Sequence, residues 1–462
     1  MTQTALRNWE DILQPSPPAV ERPEESQASL LRALLVIYLL GMLILLPVQF
    51  LRLPLNMALI DWWNVLALPM AWLYLIRVRQ PLGLPYAAAM GLILLGGLIG
   101  TFSAPNPMSS LVVLLKEVYL YIWFVTLAAL LASFPARTLR LLLLVWMSVA
   151  ILHGLLPAAQ FLSPNIWETT QASLNNFGAV DDIRPAGLFE NANATALFQL
   201  MGFVPLLLAG PSRKAIVMGG ALLFLSIVST GSLGAVAAFL CGLFIAVIAL
   251  FVVGGRLGPI LKTVALLTIA GLLLGGAFYF AASRDPDLQA RFEYFFYGRA
   301  EGSAEGRFAL WRGGIEMLLR SEAPIWGIGP EAFRDLDIRE KQLHNDLLAF
   351  VVERGVLGVL GLVWLGGTAV SQAFRMLRIH KKRFDQAGLV VVIFLAAVIA
   401  ALVESQTHQI FHARTLWLVF AVQEALLFRM TAFESEKAPS PSPLNALHHR
   451  RMLAAQGNEL RG

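Results

Sequence analysis

The stretch Leu233–Val252 reads LGAVAAFLCGLFIAVIALFV and contains no charged residue. A helix rises about 1.5 Å per residue, so a run of this length reaches about 30 Å, the thickness of a bilayer's hydrocarbon core. Similar runs lie on both sides of it, at about 31–51, 57–76, 85–102, 109–131, 138–162, 188–209, 214–230, 259–281, 347–372, 387–404 and 410–430. The composition agrees: 57% of the residues are hydrophobic, 14% are charged, and the mean hydropathy is +0.67. A water-soluble domain of this length does not carry that balance. The expected fold class is an all-α integral membrane protein of about twelve transmembrane helices. Its single cysteine, Cys241, lies inside the quoted run, which excludes an internal disulfide and a cysteine-based metal site.

The joints between runs set the orientation. Alternate joints carry Arg77 and Arg79, Arg137 and Arg140, Arg213 and Lys214, Arg256 and Lys262, and the cluster Arg375, Arg378, Lys381, Lys382 and Arg383. The short joints between them hold few basic residues, with Arg52 and Arg184 the main exceptions. Basic residues concentrate on the cytoplasmic side, so both termini are expected in the cytoplasm. The expected organisation is a cytoplasmic tail over 1–28, helices over 29–281, a periplasmic loop over 282–346, helices over 347–430 and a cytoplasmic tail over 431–462. The first tail, with Pro15, Pro17 and Pro18 among acidic residues, does not read as a cleavable signal peptide. The last tail, with His448, His449, Arg450 and Arg451, suits attraction to anionic membrane lipid. Ser163–Leu188 and Ala282–Asp346 exceed ordinary connection lengths, which directs the search for function to them. Within the longer one, Arg307–Arg320 reads as an amphipathic helix with Phe308, Trp311, Ile315, Leu318 and Leu319 on one side.

Three clusters carry chemistry. His344, in the string Gln342-Leu343-His344-Asn345-Asp346, stands at the mouth of a span. There an imidazole can exchange protons near neutral pH, or serve as a polar cap. Glu353 and Arg354 follow about two turns into the same span, where ionisable groups face a cavity or each other. The second cluster runs from Arg184 through Gly187-Leu188-Phe189 to Asn191 and Asn193. Its guanidinium could meet a phosphate at headgroup level, and its amides could hold helices together. The third joins Gly306-Arg307-Phe308-Ala309-Leu310-Trp311-Arg312 to the glycine-rich Pro324–Pro330. Guanidinium groups bind phosphate bidentately, and glycines let backbone N–H groups approach an anion.

Taken in order, the string from Arg307 through Trp311, the Pro-x-x-Gly-x-Gly of Pro324–Gly329, His344-Asn345 and Glu353-Arg354-Gly355 resemble the core signature of the O-antigen ligase and polymerase family. The upstream Arg184 to Asn193 string looks like that family's preceding motif. One departure stands at Ser229-Thr230-Gly231-Ser232-Leu233-Gly234, where many relatives carry a Ser-Arg-Gly element. If that arginine serves the substrate, another residue replaces it here. The resemblance implies a glycosyltransferase that takes a glycan from undecaprenyl pyrophosphate at the periplasmic face and joins it to a sugar hydroxyl. The acceptor is either lipid A-core, in a ligase, or another lipid-linked repeat, in a polymerase. On this reading Arg184 and Arg307, with Arg312 or Arg299, meet the pyrophosphate, and His344 takes the acceptor proton with inversion at the anomeric carbon. Asn191, Asn345 and Glu353 are the further expected substrate-binding residues. No nucleic-acid partner and no cofactor are expected.

Alternatives stay open at this level. Asp285-Pro286-Asp287 and Asp335-Leu336-Asp337 have the Asp-x-Asp spacing of metal-dependent glycosyltransferases, although a leaving group matched by arginine has less need of a metal. No metal is therefore expected. His408 and His412, four apart, could share a helix face and a metal, but no third ligand is evident. Lys116 and Glu117, adjacent in the fourth span, could pair, or Lys116 could face the lipid pyrophosphate. His153 and Glu404 are further polar residues in spans. A secondary transporter would share the outline of spans, but the halves are unrelated and the polar residues gather at one face, away from the midplane.

Overall fold

The computed structural model describes residues 25–49, 52–53, 57–163, 165–166, 184–189, 191–252, 283–293, 299–336, 342–380 and 387–437, with isolated positions between 258 and 280. In chain order the helices are α1 (Glu25–Leu45), α2 (Leu59–Arg77), α3 (Ala87–Thr101), α4 (Pro107–Ser133), α5 (Ala136–Leu162), α6 (Ala192–Ala209), α7 (Arg213–Ser229) and α8 (Leu233–Val252). They continue with α9 (Pro286–Glu293), α10 (Arg299–Arg320), α11 (Ala332–Leu336), α12 (Asp346–His380), α13 (Ala387–Glu404) and α14 (Arg414–Lys437). Two-residue strands at Arg52–Leu53 and Met57–Ala58 pair antiparallel between α1 and α2. Among the described residues seven helices are long and apolar enough to cross a membrane: α2, α4, α5, α6, α8, α12 and α14. Shorter apolar stretches fall in α1, α3 and α13. The expected span 259–281, with Gly271 and Gly275, lies almost wholly outside the described residues.

Helix ends depart from the hydropathy reading where a local group intervenes. The first span was expected to reach 51, but α1 ends at Leu45, just before Pro47, which has no N–H to continue the ladder. The sixth was expected from 188, but α6 begins at Ala192 because the Asn191 side chain accepts the Ala194 N–H at 2.8 Å and caps it. The twelfth was expected from 410. There the N–H groups of Ile410 and Phe411 donate to the Asp346 carboxylate, at 2.9 and 3.2 Å, and α14 starts at Arg414.

The largest departure is inside α12, expected as one continuous helix. Gly355 sits at φ 60°, ψ −156°, which breaks the helix after Arg354. Breaking it frees carbonyls and an N–H, and buried backbone groups need partners. The segment Pro324–Gly329 supplies them: Ile328 N–H donates to Val352 O at 2.9 Å, Gly329 N–H to Glu353 O at 2.9 Å, and Val356 N–H to Ile325 O at 3.0 Å. This strap is wedged between α12 and α3. A Cβ on Gly100 would stand 2.7 Å from Glu353 O, and one on Gly96 2.7 Å from Gly358 N, so small residues let the two helices meet backbone to backbone. Gly96 and Gly100, four apart and so on one face of α3, thus line a helix contact.

Candidate functional site

The joints at one end of the bundle are bonded to each other. Gln49 N–H donates to Leu188 O at 3.1 Å, Ser110 Oγ to Pro330 O at 2.8 Å, and Asn345 Nδ2 to Gln406 O at 3.1 Å. Asp346 N–H donates to Ser405 O at 2.8 Å. The segment 343–346 is thereby clipped to the joint 405–413, with the Asn345 and Asp346 side chains as fasteners. Asn345 Oδ1 also accepts Leu348 N–H at 2.9 Å, capping α12. Just ahead of the clip, His344 adopts φ 53°, a left-handed conformation uncommon outside glycine and found disproportionately at functional sites. Trp311 of α10 anchors the same turn by donating to Leu343 O at 2.9 Å.

The clip brings His344 over His408, with the ring centroids 6.0 Å apart and the planes at 26°. His408 is buried, and burial pushes its imidazole down to about 3; the charges of His344, Arg184 and Arg307 act in the same direction. It is therefore a neutral hydrogen-bonding ring across the physiological range. Arg307, on the bundle side of α10, is held below its usual range by burial, with the Glu404 carboxylate opposing and the Arg184 guanidinium reinforcing the shift. Arg184 is itself buried and donates to Asn193 Oδ1 at 2.9 Å. Glu404 is fully buried; Oε2 is 3.4 Å from the Thr407 hydroxyl, and Oε1 has no hydrogen-bond partner among the described residues. A Cβ on Gly234, at the start of α8, would lie 3.0 Å from Glu404 Oε2, so the joint before α8 closes on the same cluster. Two desolvated guanidinium groups, one buried carboxylate and two imidazoles are gathered in one place, a site suited to an anion and a hydroxyl-bearing ligand together.

The other expected binding residues are engaged by protein or turned away: Asn345 is taken up by the clip and its helix cap. Asn191 is committed to its helix cap. Arg312 is exposed and lies about 140° around α10 from Arg307, at 100° per residue. Glu353 accepts the Glu331 N–H and so supports the strap. The side chain of Arg299 lies outside the described residues. The glycine-rich stretch was expected to present N–H groups to an anion. Those of Gly327, Ile328 and Gly329 are all taken by protein carbonyls: the first closes a turn on Ala323 O, and the other two go to Val352 O and Glu353 O of the broken helix. The expected single apolar face of α10 divides: Phe308, Ile315 and Leu319 are exposed, whereas Leu318, with Leu310, packs towards Leu343 and Phe333.

The charged pairs also differ from the neighbour pairing expected from sequence. Arg354 does not pair with Glu353. It takes Glu117 of α4 with both η nitrogens, Nη1 to Oε2 at 2.9 Å, and His412 Nε2 reaches Glu117 Oε1 at 2.7 Å. Arg414 binds Asp61. His408 and His412 diverge, one to His344 and one to Glu117, because residues 405–413 are not helical, and that removes the basis for a shared metal. Asp285 Oδ1 accepts Leu288 N–H at 3.3 Å, capping α9, while the side chain of Asp287 and residue Asp337 lie outside the described residues. Glu404 and His408 were visible in the sequence only as polar residues near the last joint; their convergence with Arg184 and Arg307 had no sequence signal.

Comparison with known families bears on the segment that carries Arg307, His344 and the strap. Residues 218–363 match the O-antigen ligase family. The matched segment contains α8 to α11, the clip residue Asn345 and the break at Gly355. Arg184, Glu404 and His408 lie outside it and are brought to it by the fold. No curated protein matches the chain.

Proposed function

We propose that the chain is a glycosyltransferase acting at the periplasmic face, moving a glycan from undecaprenyl pyrophosphate to a sugar hydroxyl, with ligation to lipid A-core as the reaction. The convergence of Arg184 and Arg307 beside His344 carries this reading. Bond by bond, the acceptor oxygen attacks the anomeric carbon from the side opposite the phosphate. The carbon–oxygen bond to phosphate breaks with inversion, and undecaprenyl pyrophosphate leaves. The acceptor proton passes to His344. Negative charge grows on the leaving oxygen, and fixed guanidinium groups stabilise it without water reorganisation. Both arginines are desolvated and repel each other, so a pyrophosphate between them relieves a cost already built into the fold. Glu404 balances part of that charge, and its open Oε1 suits a sugar hydroxyl. His408, neutral, offers a hydrogen bond without competing for the proton. Arginine supplies the charge that a divalent ion would otherwise supply, so the transfer is metal-independent.

Deleting the gene and running lipopolysaccharide on a gel tests the assignment. Loss of all core-attached polymer supports ligation, and attachment of a single repeat assigns polymerisation instead. An unchanged pattern would overturn both.

A further inference from the structure

Arg184 heads the short segment Arg184–Phe189, which lies between α5 and α6 and is not itself helical. Such a segment could place a guanidinium loosely. Here nearly every central backbone group is held by protein. Ala186 O accepts the Thr195 hydroxyl, Gly187 N–H donates to Gln160 Oε1 at 3.0 Å, and Leu188 N–H donates to His153 Nε2 at 3.1 Å. Leu188 O accepts Gln49 N–H, and Phe189 N–H donates to Ala186 O at 3.0 Å. His153 and Gln160 are seven residues apart on α5 and so project from one face. Between them Pro157, whose missing N–H leaves the ladder open, helps form the seat for Gly187. Gly187 stands at φ 59° with a would-be Cβ 2.5 Å from His153 Nε2 and 3.3 Å from Pro157 Cγ. No larger residue fits that seat.

His153 is buried, and the edge-on rings of Phe189 and Phe198, at 5.3 and 5.5 Å, fix its plane. Its Nε2 accepts an N–H, so the proton of the neutral ring resides on Nδ1 and donates across 2.9 Å to the Gln199 amide, which turns its otherwise unpartnered oxygen to the ring. A histidine with both nitrogens committed to protein is a poor proton carrier and a good anchor.

We propose that His153 and Gln160 are positioning residues for the donor pyrophosphate, acting through the backbone of Gly187 and Leu188 to hold Arg184 in its phosphate-binding pose. This rests on the reading of Arg184 as a donor ligand. Orientation ahead of binding raises affinity by removing the ordering cost from the binding step.

The test is equilibrium binding of a fluorescent short-chain polyprenyl pyrophosphate to the full chain in nanodiscs. His153→Leu removes the acceptor for a buried N–H and should weaken binding about tenfold, a typical loss for one such group. His153→Gln places an acceptor near the Nε2 position and should recover most of it. Gln160→Leu should behave as His153→Leu does, and it stands in if the histidine variant does not fold. Arg184→Ala with His153→Leu should bind no more weakly than Arg184→Ala alone, because the anchor then has nothing to position. A general loss of stability would instead add to the arginine effect and would not be rescued by glutamine. If Arg184→Ala weakens binding while His153→Leu and Gln160→Leu leave it unchanged, the positioning role is overturned and the donor reading stands. If Arg184→Ala itself changes nothing, both are overturned.

Discussion

Gly355→Ala puts the broken helix to the test. At φ 60° and ψ −156° the residue occupies a region essentially reserved for glycine, where a side chain costs about 1–3 kcal/mol. The added Cβ would stand 2.1 Å from Ile325 O and 2.5 Å from the Trp326 carbonyl carbon. These are backbone atoms of the strap, so no side chain can swing aside to relieve the contact. Moving the strap strains its three hydrogen bonds to α12, each worth about 0.5–1.5 kcal/mol net. The combined loss is about 3–7 kcal/mol, a large part of an ordinary folding free energy. Thermal unfolding of the purified protein in detergent should show a midpoint lower by roughly 5–15 °C. Gly367→Ala is the internal control: it lies in the same helix, and its Cβ would meet nothing within 4 Å. Alanine is the better helix former there, so that variant should melt at or slightly above the parent temperature. Equal melting of the two variants would refute the strapped break.

Four further outcomes are expected. His344→Ala should lower turnover about 10²- to 10⁴-fold with donor binding retained, and near-normal turnover in single-turnover kinetics would reduce His344 to a cap. Turnover should persist in excess chelator, and a loss restored by added Mg²⁺ or Mn²⁺ would revive the Asp-x-Asp reading. Reporter fusions after Arg320 and after Arg383 should report opposite compartments, and agreement between them would end the topology. His408, near 3 when folded and about 6.5 when unfolded, binds its proton more readily in the unfolded chain, so stability should fall as pH drops from about 6.5 towards 3. His408→Gln should flatten that fall in melting curves, and an unchanged slope would show that another group governs acid stability.

Much of the fold was legible because hydropathy is a local, additive quantity. Twenty apolar residues favour a spanning helix, and the expected run Leu233–Val252 coincides with α8 to the residue. His344, Arg184 and Arg307 stood out as candidates too, since ionisable groups beside a span are costly and have to be paired or used. Where a helix stops was less so: Asn191 and the carboxylate of Asp346 act through bonds that hydropathy does not register.

Tertiary structure alone decided the rest. A glycine-rich loop has the same sequence whether its N–H groups face a phosphate or the carbonyls of a broken helix, and only the position of Gly355 against Ile325–Gly329 selects the second. Arg354 could pair with any carboxylate within reach; adjacent positions on a helix point apart, so its partner came from α4, far away in the chain. Glu404 and His408 joined the site because Asn345 and Asp346 clip one joint onto another, a contact between segments some 60 residues apart that no short window of sequence contains. The sequence determined the solvent, the number and order of apolar runs, and the residues able to do chemistry. Which of them meet depends on long-range packing, because charge and hydrogen-bond capacity belong to each residue alone, whereas proximity belongs to the folded chain.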